Sequence, residues 1–253
     1  MEITEVVTDS LGHVLDSFYI CQACRIVDRD DDRIIVGHPC SICGEPSPAG
    51  RSYFRSPVFS LIDLMQEFYH AKHDMQVYTV RDHLDSTHNA WLAVVIFFVS
   101  LREALLVHFL KELMGALGLP DGVCERLMAD NNSHSRRLEN LFPSLVGVKW
   151  KEAISELSKT STLDYRKLDR SITEIVRSRN TFLHQGYKVA IKVEMAEGCL
   201  RNIWPLLNLY VELHNRFVYP IFQEEKKVIT TRCRESPIKP ALAERHVGIK
   251  THE

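Results

Sequence analysis

LDYRKLDRSITEIVRSRNTFLHQGY, residues 163 to 187, is the stretch that decides the fold. Leu168, Ile172, Ile175, Val176, Phe182 and Leu183 recur at helical spacing, and Gln185-Gly186 closes the pattern with a glycine stop. An amphipathic helix over 163–184 follows. On a wheel with Leu168 at zero, Ile172 falls at about 40°, Ile175 at about −20° and Phe182 at about −40°. Arg179 falls at about 20°, in the middle of the apolar face. A guanidinium cannot lose its charge there, so it needs paired acceptors or a lined polar pocket. Asn180 and His184 share another face, and Arg177 lies beside them.

The neighbouring segments are helical too. Ser56-Pro57 opens a helix with a capping serine and a proline in the first turn; Val58, Leu61, Ile62, Met65 and Phe68 continue it. A second helix starts between Asp82 and Thr87 and runs to about Gly115, ended by Gly115, Gly118 and Pro120. Its first half, Trp91 to Val99, is apolar all round, as in a helix surrounded by others. Glu103 emerges from it as the natural acid for Arg179. Residues 121–160 read as short helices and loops, with Asn131-Asn132-Ser133 as a polar loop. A last helix covers about Val189 to Phe217, burying Leu200, Ile203, Trp204, Leu207, Tyr210, Val211 and Phe217, with a kink expected at Pro205. Beyond it the chain is polar, and 223–253 reads as a flexible tail.

The N-terminal fifty residues differ in kind. They hold three basic residues against nine acidic ones, a net of −6 in a chain of net −2, so the remainder is net +4. The protein is not globally basic; any nucleic-acid contact must come from a local patch. Cys21-x-x-Cys24 and Cys40-x-x-Cys43 lie fifteen residues apart. That spacing matches two zinc knuckles, whose four thiolates complete a tetrahedral shell. Such a shell has no open position, so the zinc is structural. Gly44 supplies the positive φ the second turn needs. Arg33–Val36 reads as a short strand and Asp28–Asp32 as a hairpin tip. His38 is the alternative ligand. A calcium loop at Asp28, Asp30 and Asp32 is rejected, because position six is Arg33 and position twelve Pro39. The division is therefore a zinc-ribbon-like module at 1–50, joined through the Glu45–Gly50 linker to a helical bundle at 51–222.

Seven cysteines, four of them in knuckles, suit reduced thiols and a metal, not a secreted disulfide framework. MEITEVVTDS has no leader character. The longest apolar run, Ala90 to Leu101, is shorter than the roughly 20 residues a bilayer span needs. The expectation is a cytoplasmic protein with no membrane partner.

Arg179-Asn180-Thr181-Phe182-Leu183-His184 resembles the R-x(4–6)-H motif of HEPN domains, in which a polar residue commonly follows the arginine. Arg177 also satisfies that spacing; Arg179 is preferred because Asn180 follows it and because it faces the core. The resemblance spans roughly Ser86 to Pro220, and Glu103 looks like the acidic contribution many members make from the earlier helix. It implies a mainly α, HEPN-like antiparallel bundle and a metal-independent endoribonuclease acting as a homodimer. The ribose 2′-OH would attack the adjacent phosphorus, leaving a 2′,3′-cyclic phosphate. In that scheme His184 moves the proton, Arg179 stabilises the phosphorane charge, Asn180 orients, Glu103 fixes Arg179, and Arg177 and Gln185 contact the RNA. It also implies a toxin or antiviral-defence role. The alternative is a non-catalytic HEPN-like module that binds RNA or protein through the zinc ribbon. The ribbon's acidity points to a protein partner in either case. A purely structural bundle with a buried Arg179–Glu103 pair is the third reading.

Overall fold

The computed structural model describes residues 18–21, 23–29, 39–40, 42–44, 51–54, 56–75, 84–185 and 191–224. The expected strand at Arg33–Val36, His38, the Glu45–Gly50 linker, the Gly186 stop and the tail beyond 224 lie outside them. Three short strands come first: β1 (Phe18–Ile20), β2 (Val27–Arg29) and β3 (Arg51–Ser52). They form an antiparallel sheet in the order β2-β1-β3, with Tyr19 opposite Asp28 on one side and Ser52 on the other. Asp28 is therefore inside a strand, not at a hairpin tip. The sheet takes its third strand from beyond residue 50.

The rest is mainly helical. α1 (Ser56–Met75) packs along α2 (Leu84–Ala116), and α2 packs in turn against the last long helix, α8 (Val193–Phe217). α2 has 33 residues, about 50 Å of helix. Val94, Val95, Phe98, Leu101, Leu105, Leu106, Phe109, Leu110 and Leu113 are all buried along it. Ala90–Ala116 is long and apolar enough to cross a membrane by length and composition. Its buried residues belong to the same core as those of α1 and α8, which is what a central bundle helix requires.

α2 ends at Ala116, one residue past the expected Gly115, and Gly118 makes the stop. Gly118 sits at φ 69°, Leu119 N–H reaches Met114 O at 3.1 Å, and Gly118 N–H reaches Gly115 O at 3.0 Å. That crossed pair is a Schellman closure, which needs the left-handed backbone glycine adopts without strain.

Short pieces follow: α3 (Asp121–Asp130), α4 (His134–Arg136), a π-helical turn (Arg137–Leu141) and α5 (Phe142–Val146). Phe142 anchors them in the core against Phe109, Trp150 and Phe217. α6 (Trp150–Thr160) and α7 (Tyr165–Gln185) then form a hairpin. Asp164 caps α7, its carboxylate accepting from the N–H groups of Arg166 and Lys167 at 3.1 and 3.2 Å. Tyr165 and Ser161 donate to Glu212 Oε1 at 2.6 and 2.7 Å, tying the start of α7 to α8. The expected apolar face holds in its first part: Leu168, Ile172 and Ile175 are buried and Val176 and Phe182 partly so, but Leu183, in the last turn, is exposed. α8 starts at Val193, later than the expected Val189, carries Pro205 within it and buries Leu206, Leu209 and Leu213 in addition to the expected face, of which Trp204 and Phe217 are only half-buried.

Candidate functional site

The R-N-x-x-x-H residues occupy the last two turns of α7. Arg179 is half-buried. Its Nη1 donates to Asn180 Oδ1 at 2.8 Å. Its Nε is buried and has no hydrogen-bond partner among the described residues. One turn further on, His184 is exposed. Gln185 ends the helix, and its side chain lies outside the described set. Arg177 is exposed one turn before Asn180 and lines a groove between α6 and α7. The structure thus brings Arg179 and Asn180 into contact and leaves the imidazole facing outward.

Glu103 is elsewhere, which corrects the expected Arg179–Glu103 pair. Its Oε1 lies 2.9 Å from His134 Nδ1 and its Oε2 lies 3.5 Å from Arg137 Nη1. The reason is axial position. Asp169 shares the electrostatic surroundings of Arg102, the residue next to Glu103. Arg179 is ten residues farther along α7, about 15 Å along the helix axis. Burial opposes the charge on Glu103, but His134, Arg102 and Arg137 outweigh it and hold the carboxyl below its usual value. Burial in turn pushes the His134 imidazole below its ordinary value, against the pull of Glu103. His134 and Arg137 were missed in the sequence. Their signal is the i, i+3 spacing just after the Ser133 cap, but nothing local says that Glu103 lies beside them.

The cysteines come together as expected. The Sγ atoms of Cys21, Cys24, Cys40 and Cys43 lie within 4.8 Å of one another. Cys21–Cys43 and Cys24–Cys40 are each 3.8 Å apart, far beyond a disulfide bond. A tetrahedron of sulfurs about 2.3 Å from a central zinc has edges of about 3.8 Å, so the four can hold a metal of that size. Both knuckles close alike. Arg25 N–H reaches Cys21 O at 2.8 Å and Gly44 N–H reaches Cys40 O at 2.9 Å. The residue after each second cysteine has positive φ, 65° at Arg25 and 71° at Gly44. Glycine takes that conformation freely; an arginine has to be held in it.

Arg25 is held by the bundle. Its guanidinium meets Glu112 Oε2 of α2 at 3.1 Å and stands over the Phe222 ring at 5.4 Å. Its carbonyl accepts from His214 Nε2 at 2.9 Å. Asn215 brackets Val27, accepting from its N–H at 2.9 Å and donating to its carbonyl at 2.7 Å. Gln223 donates to Cys24 O at 3.2 Å, and Tyr219 packs on the cysteine cluster. Phe18 stacks on Trp204 at 5.3 Å. Burial pushes His214 down to about 4, so its ring is neutral here at ordinary pH. The clamps from His214, Asn215 and Gln223 join residues 188 to 199 positions apart, and no local pattern announces them.

Compared with protein-family models, curated proteins and solved structures, the chain matches none.

Proposed function

We propose that the chain is a metal-independent endoribonuclease of the HEPN type, working as a homodimer. The observation that carries this reading is Arg179: a half-buried guanidinium, bonded to Asn180, with a buried Nε that has no acceptor among the described residues. An unpaired buried donor is costly, and a phosphate oxygen would satisfy it.

Arg179 and His184 are about 140° apart on α7 and about 7.5 Å apart along its axis. One phosphodiester is therefore best shared between two copies, the His184 of one facing the Arg179–Asn180 pair of the other. In the reaction, the 2′-OH gives its proton to one His184 as its oxygen bonds to the adjacent phosphorus. The P–O5′ bond breaks, and the 5′ oxygen takes a proton from the partner's His184. Arg179 stabilises the charge on the non-bridging oxygens, and Asn180 holds the arginine in place. The requirement for a 2′-OH restricts cleavage to RNA. Glu103 has no part in this scheme; its carboxylate belongs to His134 and Arg137.

The cysteine site takes one zinc as a structural ion and supplies no chemistry to cleavage. Reduced thiols of this kind suit the cytoplasm. A toxin or antiviral-defence role follows from the resemblance alone, and a protein partner from the acidity of the first fifty residues.

The test compares wild type with His184→Ala on total RNA. EDTA is present at a level that leaves the cysteine-bound zinc in place. Fragments ending in 2′,3′-cyclic phosphate are expected from wild type only. Equal cleavage by the variant, or none by wild type, would refute the reading.

A further inference from the structure

One face of α7 carries a stripe that the motif does not account for. Arg166, Arg170, Thr173, Arg177, Asn180 and His184 follow one another at spacings of four, three, four, three and four. All six fall within an arc of about 80° opposite Leu168. A polar stripe opposite a core face is ordinarily open solvent surface. Here its first four residues form one wall of a groove of about 980 Å³, with Lys151, Ile154 and Ser155 of α6 as the other.

The groove is basic in a chain of net −2. Lys151, Arg166, Arg170 and Arg177 line it against only Asp169 and Glu174. Asp169 is half-buried and acts on the half-buried Arg102, so part of its field is spent away from the groove. Arg166 lies 3.6 Å from Asp164 in an exposed pair, which water screens heavily. Lys151, Arg170 and Arg177 form no ion pair among the described residues. These exposed cations therefore converge on one channel with few internal partners.

We propose that this groove is the track along which the backbone of single-stranded RNA reaches the cleavage site. The proposal rests on the nuclease reading, because the stripe ends at Asn180 and His184, the groups that would hold and cut a phosphodiester. An acidic peptide would satisfy the cations equally but would have no use for that end point. From Arg166 to His184 the helix rises about 27 Å, the length of about eight nucleotides stacked at 3.4 Å per step. The lining residues include no aromatic ring, so recognition falls on phosphates and not on bases. Binding is then tolerant of sequence and steep in salt. On this proposal a single strand binds in preference to a duplex.

The test uses the full chain carrying His184→Ala, so that binding is read without cleavage. A fluorescein-labelled twelve-nucleotide single strand is titrated by anisotropy at several salt concentrations. Adding Lys151→Glu and Arg170→Glu together is expected to weaken binding at least tenfold. It should also lower the slope of log affinity against log salt by about two. The same charge change off the groove, Lys111→Glu with Arg126→Glu, should move affinity less than threefold. Undiminished binding in the groove variant, equal loss in the control, or equal affinity for duplex RNA or a poly-glutamate peptide would each overturn the proposal. The two readings separate cleanly. If wild type cleaves and the groove variant binds normally, the track is wrong and the nuclease stands. If wild type never cleaves but groove charge reversal abolishes binding, the groove binds RNA and the nuclease reading falls.

Discussion

The two ends of the molecule that carry chemistry are built in opposite ways. At the cysteine end most polar groups of the knuckle are answered from within the chain: Arg25 Nη2 by Glu112, its carbonyl by His214, Val27 by Asn215, Cys24 O by Gln223; Arg25 Nε and His214 Nδ1 are buried there without a partner among the described residues. At the end of α7 the groups are left over: Arg179 Nε has no acceptor among the described residues, and His184 and Arg177 face solvent. Satisfied polar networks fix a structure. Unsatisfied ones beside exposed titratable groups are where a ligand adds the most. On the proposed reading the cysteine end holds the fold and the end of α7 binds and cuts RNA, and either half can be tested.

The largest effect should come from the knuckle. Cys24→Ser removes a thiolate from the shell, and metal affinity in such sites is folding free energy. Bound zinc should fall from about one per chain to nearly none. The thermal midpoint should drop with it, by the equivalent of several kcal/mol. A variant that loses the metal but melts with wild type would show that the clamp holds without it.

His184→Ala is the counterpart at the other end. Cleavage should fall about 10²–10⁴-fold, the usual worth of a positioned proton-transfer group. The melting midpoint should move by less than about 2 °C, since the side chain is exposed and few surface changes matter to stability. A large fall in stability would place the histidine in the architecture instead.

A pH series sharpens the same contrast. His214 titrates near 4 in the folded protein because burial disfavours its cation, against about 6.5 when unfolded. Between those values the unfolded chain binds a proton that the native one refuses. Stability therefore falls as pH drops from about 6.5 to about 4, by roughly 3 kcal/mol from this residue. His214→Gln keeps a donor for Arg25 O and cannot titrate. Its melting midpoint should lie below wild type at pH 7 and decline less between pH 7 and 4.5. Parallel curves would remove His214 as the acid-sensitive group.

The smallest effect tests the corrected acid. Glu103→Gln should cost about 1 kcal/mol, because side-chain exposure of 35% leaves the carboxylate screened by water. Cleavage should stay within about threefold of wild type. A hundredfold loss of cleavage at unchanged stability would return Glu103 to the catalytic group.

Much of this was readable in the chain itself. The positions of α1, α2, α7 and α8 follow from apolar periodicity and from local punctuation such as the Ser56-Pro57 start and the Gly118 stop, because a helix is decided by residues three and four apart. The cysteine cluster follows from two short spacings, because each knuckle is a local turn. The wheel placed Arg179 toward the core and Asn180 with His184 on another face; His184 is exposed as expected, while Arg179 and Asn180 are both half-buried. Only the tertiary structure decided what lies opposite. It gave Glu103 to His134 and Arg137, set Asp28 in a strand, locked the knuckle to α8 through His214 and Asn215, and set α6 beside the α7 stripe to make a groove. Each of these depends on axial register between packed elements. A shift of ten residues is about 15 Å along a helix, and periodicity fixes which face a residue takes but not which neighbour stands at its level.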